Sequence, residues 1–154
     1  MKVLLVIVGC SVGLLALWAT AGDMTEDDRQ LTRHILQVRD TPVPAGNLHP
    51  GQWDYVCYID SYSFSADALK KRLPVTITNL DFSPEDRWVD EGRWGLAFVT
   101  TRTARARVFL IDDQAIYRIE GPECAMRETA TFQVDTVVAL NKTYTRLTVA
   151  GAPR

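Results

Sequence analysis

The sequence predicts an α+β domain: a single, mostly antiparallel, twisted sheet of about six to seven strands with an N-terminal helix packed on one face. Three observations predict it. Residues 94–120 contain three strand-like runs, WGLAFVTT, ARARVFLID and AIYRIE, whose apolar and polar residues alternate with the period of a half-buried strand. The links between these runs are too short for crossovers, so neighbouring strands must run antiparallel. The helical periodicity at Leu31, Ile35 and Val38 comes before all of them, which leaves the helix outside the sheet, lying on it.

The chain has 154 residues and a net charge of −2, enough for one domain with a proper core. That near balance gives no reason to expect nucleic acid or an anionic membrane surface as a partner. Residues 1–21 open with Lys2, continue as an apolar run and end in Ala19-Thr20-Ala21, the three-part pattern of a secretory signal peptide. The expected organisation is a signal peptide over 1–21 and one α+β domain over 22–154. Within that domain 22–51 is helix and connector, and 52–154 is sheet with a short helical insertion near 65–73. The protein is therefore expected to be exported, periplasmic or secreted, with no membrane contact beyond the signal segment. Retention of the apolar run as an anchor is the alternative.

Export simplifies the cysteines. Cys10 leaves with the signal peptide, and Cys57 and Cys124 remain. An even pair in an oxidising compartment predicts one disulfide. Neither cysteine has the C-x-x-C spacing of a zinc or redox site, and no metal or cofactor is expected.

In chain order, Thr25 followed by Asp28 predicts a capping box at the start of the first helix, with His34 beside its apolar stripe. Asp40-Thr41-Pro42-Val43-Pro44-Ala45-Gly46 cannot continue a helix. QWDYVCYID at 52–60 alternates and is rich in aromatic and β-branched residues, so it reads as a strand. A second helix is expected from Ser65, with a basic last turn, until Pro74 ends it. Residues 75–80 read as a short strand, Ser83-Pro84 as the start of one helical turn, and 87–93 as an irregular approach to the sheet. Turns are expected at Arg102-Thr103, at Asp113-Gln114 and near Gly121-Pro122. The last two strands, 125–140 and 143–149, should be joined by a two-residue turn at Asn141-Lys142. Asn141-Lys142-Thr143 also fits a glycosylation acceptor, but a hairpin turn accounts for it.

The expected register pairs Phe98 with Arg107 and Val99 with Ala106, and then Leu110 with Tyr117, Val108 with Ile119 and Arg107 with Glu120. One face then carries small residues (Gly95, Ala97, Val99, Ala106, with Val108, Leu110, Tyr117 and Ile119) and is assigned to the core under the first helix. The other is apolar at one end (Trp94, Leu96, Phe98, Phe109, Ile111, Ile116) and carries Arg105, Arg107, Arg118 and Glu120 at the other. A mixed apolar and cationic face of this size points to contact with something, and guanidinium forks match carboxylates or phosphates. The candidate binding residues are Trp94, Phe98, Arg105, Arg107, Phe109 and Arg118.

No catalytic signature stands out. No serine sits in G-x-S-x-G. His34, His49, Asp54 and Ser61 or Ser63 form a triad only on paper. There is no H-E-x-x-H and no phosphate-cradling glycine loop.

Two stretches resemble known families. Gly51-Gln52-Trp53 at the start of a strand resembles the G-x-W opening of lipocalins, and the strand-then-helix order after it is similar to the fatty-acid-binding branch of that group. That resemblance implies a ligand-carrying barrel with Arg105, Arg107 and Arg118 turned inward on an acidic ligand, although about 100 residues is short for it. Ile7-Val8-Gly9-Cys10 resembles the lipobox of bacterial lipoproteins, which implies a chain tethered through an acylated Cys10.

The leading functional expectation is a small exported, non-enzymatic protein that binds another macromolecule, most readily another protein, through one sheet face, of inhibitor, immunity or accessory type. The alternatives are an open-barrel or cup-like carrier of a small acidic ligand, and an enzyme in whose cleft His34 or His49 meets a carboxylate.

Overall fold

The computed structural model describes residues 24–60, 69, 71–73, 76–81 and 92–152. The signal segment 1–21, the helical turn near 83–86 and residues 87–91 lie outside the described residues. So does most of the expected 65–73 helix, although residues 69, 71 and 72 are helical.

Helix α1 spans Glu26–Leu36. Its start is the predicted capping box: the Thr25 hydroxyl accepts the Asp28 N–H at 3.2 Å, and the Asp28 carboxylate accepts the Thr25 N–H at 2.6 Å. The chain then forms β1 (Val43–Pro44), the single turn α2 (Ala45–Leu48) and β2 (Tyr55–Ile59). The strands that follow are β3 (Asn79–Asp81), β4 (Arg93–Thr100), β5 (Arg105–Asp112), β6 (Arg118–Glu120), β7 (Cys124–Met126), β8 (Thr131–Ala139) and β9 (Lys142–Ala150).

The fold is α+β, but these strands form two sheets rather than one. Five run in the order β3-β5-β4-β2-β7 and four in the order β1-β8-β9-β6. Most pairs are antiparallel, while β3 on β5 and β6 on β9 are parallel. Among the described residues neither sheet closes into the barrel that the Gly51-Gln52-Trp53 resemblance implies.

The β4–β5 hairpin has the predicted register, with Phe98 opposite Arg107 and Val99 opposite Ala106. The next predicted hairpin does not form. After β5 a tight turn, in which the Ala115 and Ile116 N–H groups both bond to Asp112 C=O, redirects the chain, and the Tyr117 N–H bonds to Thr145 C=O. The chain thus passes to the other sheet, where Arg118, Ile119 and Glu120 pair with Arg146, Leu147 and Thr148. Burial explains the choice. On this path Ile116 and Ile119 both enter the layer between the sheets. The Arg107–Glu120 pair that supported the other register is replaced by Arg107–Asp27 and Glu120–Arg146.

The β8–β9 turn lies at Leu140-Asn141, one residue before the predicted position, because Ala139 pairs with Lys142. This register sets Asp135 opposite Arg146 and Val134 opposite Leu147, joining opposite charges on one face and large apolar groups on the other.

The apolar core has two layers. One lies between the sheets and collects Leu31 and Ile35 of α1, Val56, Leu96, Phe98, Phe109 and Ile111 of the five-stranded sheet, and Phe132, Val134, Leu147 and Val149 of the four-stranded sheet. The other lies on the opposite face of the five-stranded sheet, where Cys57, Ala97, Val99, Ala106 and Leu110 are covered by Leu69, Leu73 and Ile77. The expected faces are therefore exchanged: the large side chains fill the gap between sheets, and the small ones lie under Leu69, Leu73 and Ile77. Cys57 and Cys124, directly opposed on β2 and β7, form the predicted disulfide.

Candidate anion-binding groove

The apolar half of the face singled out in the sequence is buried between the sheets: Phe98 and Phe109 are each 3% exposed. Its basic half reaches the surface where β4 and β5 meet the α2–β2 connector. Arg105 and Arg107 alternate with buried Ala106 and Val108, so both guanidiniums leave the same side of β5.

The connector supplies the rest. Pro44 ends β1, and the Ala45 N–H bonds to Ala130 C=O, anchoring α2 on the chain just before β8. At the end of α2 the His49 N–H bonds to Ala45 C=O, and His49 C=O accepts the Trp53 indole N–H at 3.0 Å. This fold-back lays the His49 ring on Phe98, with centroids 4.2 Å apart, and beside Phe109 at 5.0 Å. Trp53 meets Phe98 edge-on at 5.1 Å. The Arg107 guanidinium sits 4.8 Å over Phe109 and is paired with Asp27. Arg127 sits 5.1 Å over Trp53 and donates to Gly51 C=O.

Two adjoining clefts result. One of about 330 Å³ is lined by His49, Gln52, Trp53, Phe98, Thr100, Thr103, Arg105 and Arg107. The other, about 250 Å³, is lined by Asp27, Gln30, His34, Leu48, His49, Pro50, Arg107 and Phe109 among others. His49 and Arg107 border both, so the clefts read as one groove with these two side chains at its waist. Burial, and then the charges of Arg107 and Arg127, lower the His49 pKa from its ordinary 6.5. Its ring is therefore mostly neutral at pH 7, and neither ring nitrogen is hydrogen-bonded among the described residues.

Of the six residues singled out in the sequence, the groove brings together Phe98, Arg105, Arg107 and Phe109. Trp94 pairs with Ile111 near the other end of β4 and lines neither cleft; its buried indole nitrogen has no partner among the described residues. Arg118 belongs to the other sheet, where it pairs with Glu120. The binding residues singled out in the sequence did not include His49, Gln52, Trp53 or Arg127. Three of these lie within five residues, His49-Pro50-Gly51-Gln52-Trp53, and the aromatic tripeptide was the available signal. Of the paper triad, the described residues include the histidines and Asp54. Asp54 accepts from both the N–H and the hydroxyl of Thr101, and Ser61 and Ser63 lie outside the described residues. Neither histidine is hydrogen-bonded to a carboxylate among the described residues, although Asp27 borders the same cleft. No cluster of three or more metal-ligating side chains occurs among the described residues.

Chemically, the groove is lined by two guanidiniums, that of Arg107 paired with Asp27, and by threonine hydroxyls and a glutamine amide around an aromatic floor. That set suits an anionic group joined to an apolar or flat neighbour. Comparison with protein-family models, curated proteins and solved structures yields no match.

Proposed function

We propose that this protein is an exported, non-enzymatic binding module that holds an acidic segment of another protein in the groove at Arg105, His49 and Arg107. One observation carries the reading: Arg105 and Arg107 project from the same side of β5 into an open, elongated groove floored by Phe98, Phe109 and Trp53. An extended chain could lay alternate carboxylates against the guanidiniums and its apolar groups on the rings. Export is supported by the Cys57–Cys124 disulfide, a bond characteristic of oxidising compartments, and by the signal-like pattern of residues 1–21. Among the described residues no helix is long and apolar enough to cross a membrane.

The test is calorimetric titration of the exported protein with a capped hexaglutamate peptide. Saturable binding that is lost in the Arg105→Ala/Arg107→Ala double variant supports the reading. Equal binding by wild type and double variant, or none by wild type, overturns it. The cleft volume of about 330 Å³ falls in the range of small-molecule sites, roughly 300–1,000 Å³, and favours a second reading as a carrier of a small acidic ligand. Glutarate binding as tightly as the peptide would select that reading.

A further inference from the structure

We infer that the tip of the β8–β9 hairpin docks shallowly on a phospholipid surface, with Leu140 as the inserting side chain. This contact is separate from the groove and stands or falls without it.

Among the described residues, the large apolar side chains that lie exposed are Tyr117, Val138 and Leu140, at 49%, 76% and 92%. All three gather at one end of the four-stranded sheet. Val138 pairs with Thr143 next to the turn, and Leu140 stands in the turn itself. Tyr117 reaches the same end because its N–H bonds to Thr145 C=O, and its ring stacks on Tyr144 with centroids 4.2 Å apart. Single apolar residues scattered over a surface need no explanation, but a cluster of them marks a contact. Turn chemistry does not account for Leu140 either. Its φ of 50° is a value that asparagine or glycine adopts most readily, so leucine here gives up turn stability and packing together. A side chain kept on those terms fits a contact outside the chain.

The surroundings of the tip fit a bilayer as that contact. A hairpin end is narrow and convex, so it enters its partner rather than receiving it. Residues 136–145, TVVALNKTYT, hold one charged side chain, Lys142, and no carboxylate. Lys142 is exposed at the start of β9, two residues from Leu140. There its ammonium can meet lipid phosphates while the leucine lies deeper. Tyr144 is opposite Val137, and Val137 lies about 10 Å behind Leu140 at the rise of a strand. With the tip sunk about 5–10 Å into the boundary of headgroups and acyl chains, the stacked Tyr117 and Tyr144 come level with the headgroups, where tyrosine is favoured. Insertion stays shallow, because a strand edge cannot enter hydrocarbon without losing its hydrogen bonds to water. The net charge of −2 gives no long-range attraction to such a surface, so the tip supplies the affinity and the contact is weak and reversible.

Co-sedimentation of the exported protein with vesicles of phosphatidylcholine and phosphatidylglycerol tests this. Wild type should partition onto the vesicles, and Leu140→Asn/Asn141→Gly should bind about tenfold more weakly or less. That variant suits the turn better than wild type and should unfold at a higher temperature, so its weaker binding cannot come from a damaged fold. Leu140→Trp should bind at least as tightly as wild type, because tryptophan favours the membrane interface. The variants share the N-terminus of wild type, so attachment through residues 1–21 would be the same in all three. No binding by wild type, or equal binding by wild type and Leu140→Asn/Asn141→Gly, overturns the inference. So does Leu140→Trp binding as weakly as the turn variant. Each of these outcomes leaves the anion-binding groove untouched.

Discussion

The Asp28 carboxylate accepts the Leu110 amide N–H at 3.1 Å, joining the first turn of α1 to the middle of β5 across 82 residues of sequence. Its other oxygen closes the capping box on Thr25. The short β3 pairs with β5 only at residues 105–107, so beyond it Asp28 supplies the acceptor that a neighbouring strand would have given. A buried carboxylate is thereby used twice, to start a helix and to finish a sheet edge.

Asp28→Ala removes both bonds and leaves a buried amide without a partner. The expected loss is about 2–4 kcal/mol, against about 1 kcal/mol for Thr25→Ala, which removes only one capping bond. Urea unfolding should show the midpoint falling in that order with the m-value unchanged.

The disulfide closes a loop with a sequence separation of 67. Loop-closure entropy alone assigns it roughly 4 kcal/mol. The Cys57→Ala/Cys124→Ala double variant should unfold at markedly lower urea. Adding a reductant should then destabilise wild type in unfolding experiments and leave the variant unaffected.

Arg146 donates through two nitrogens to Asp135, at 2.9 and 2.5 Å, and through a third to Glu120 at 3.1 Å. The Arg146 hydrogen bonds lower the Asp135 pKa. A carboxylate with a depressed folded pKa stabilises the fold above its unfolded value, about 3.9, and loses that contribution as pH falls through the folded value. Wild type should therefore exceed Asp135→Asn in urea midpoint at neutral pH, with the gap narrowing below about pH 4. The pair is about one-third exposed, so the gap should also shrink with added salt.

Leu140 and Asn141 turn the β8–β9 hairpin with φ of 50° and 60°, the positive values of a type I′ turn. Leucine pays for that conformation without packing against anything, since it is 92% exposed. Replacing the pair by Asn-Gly should stabilise the protein by about 1 kcal/mol, read as a rise in thermal midpoint.

Much of the local structure was legible because local physics decides it. The Thr25–Asp28 cap, the β4–β5 register and the Cys57–Cys124 pair each follow from alternation, spacing or compartment. The division into two sheets was not legible. A short link between β5 and β6 reads as a hairpin, and an Arg107–Glu120 pair agrees with that reading. Only the burial of Ile116 and Ile119 against β9, more than 25 residues further on, sets the other path. The site was half legible for the same reason. Arg105, Arg107, Phe98 and Phe109 share one hairpin, whereas His49 and Trp53 reach them through a connector whose fold-back depends on the backbone bond from Ala45 to Ala130.

Strand β6 has β9 as its sheet neighbour, and the chain changes sheet between β1 and β2, between β5 and β6, between β6 and β7, and again between β7 and β8. The four-stranded sheet therefore draws on strands from both ends of the domain, whereas the stretch from β2 to β7 holds all five strands of the other. While the ribosome is still making β8, β6 has no partner, and the layer between the sheets lacks Leu147 and Val149. Non-local pairing of this kind makes folding slow and late. The four-stranded sheet, and with it the layer between the sheets, can therefore close only once β9 has been made.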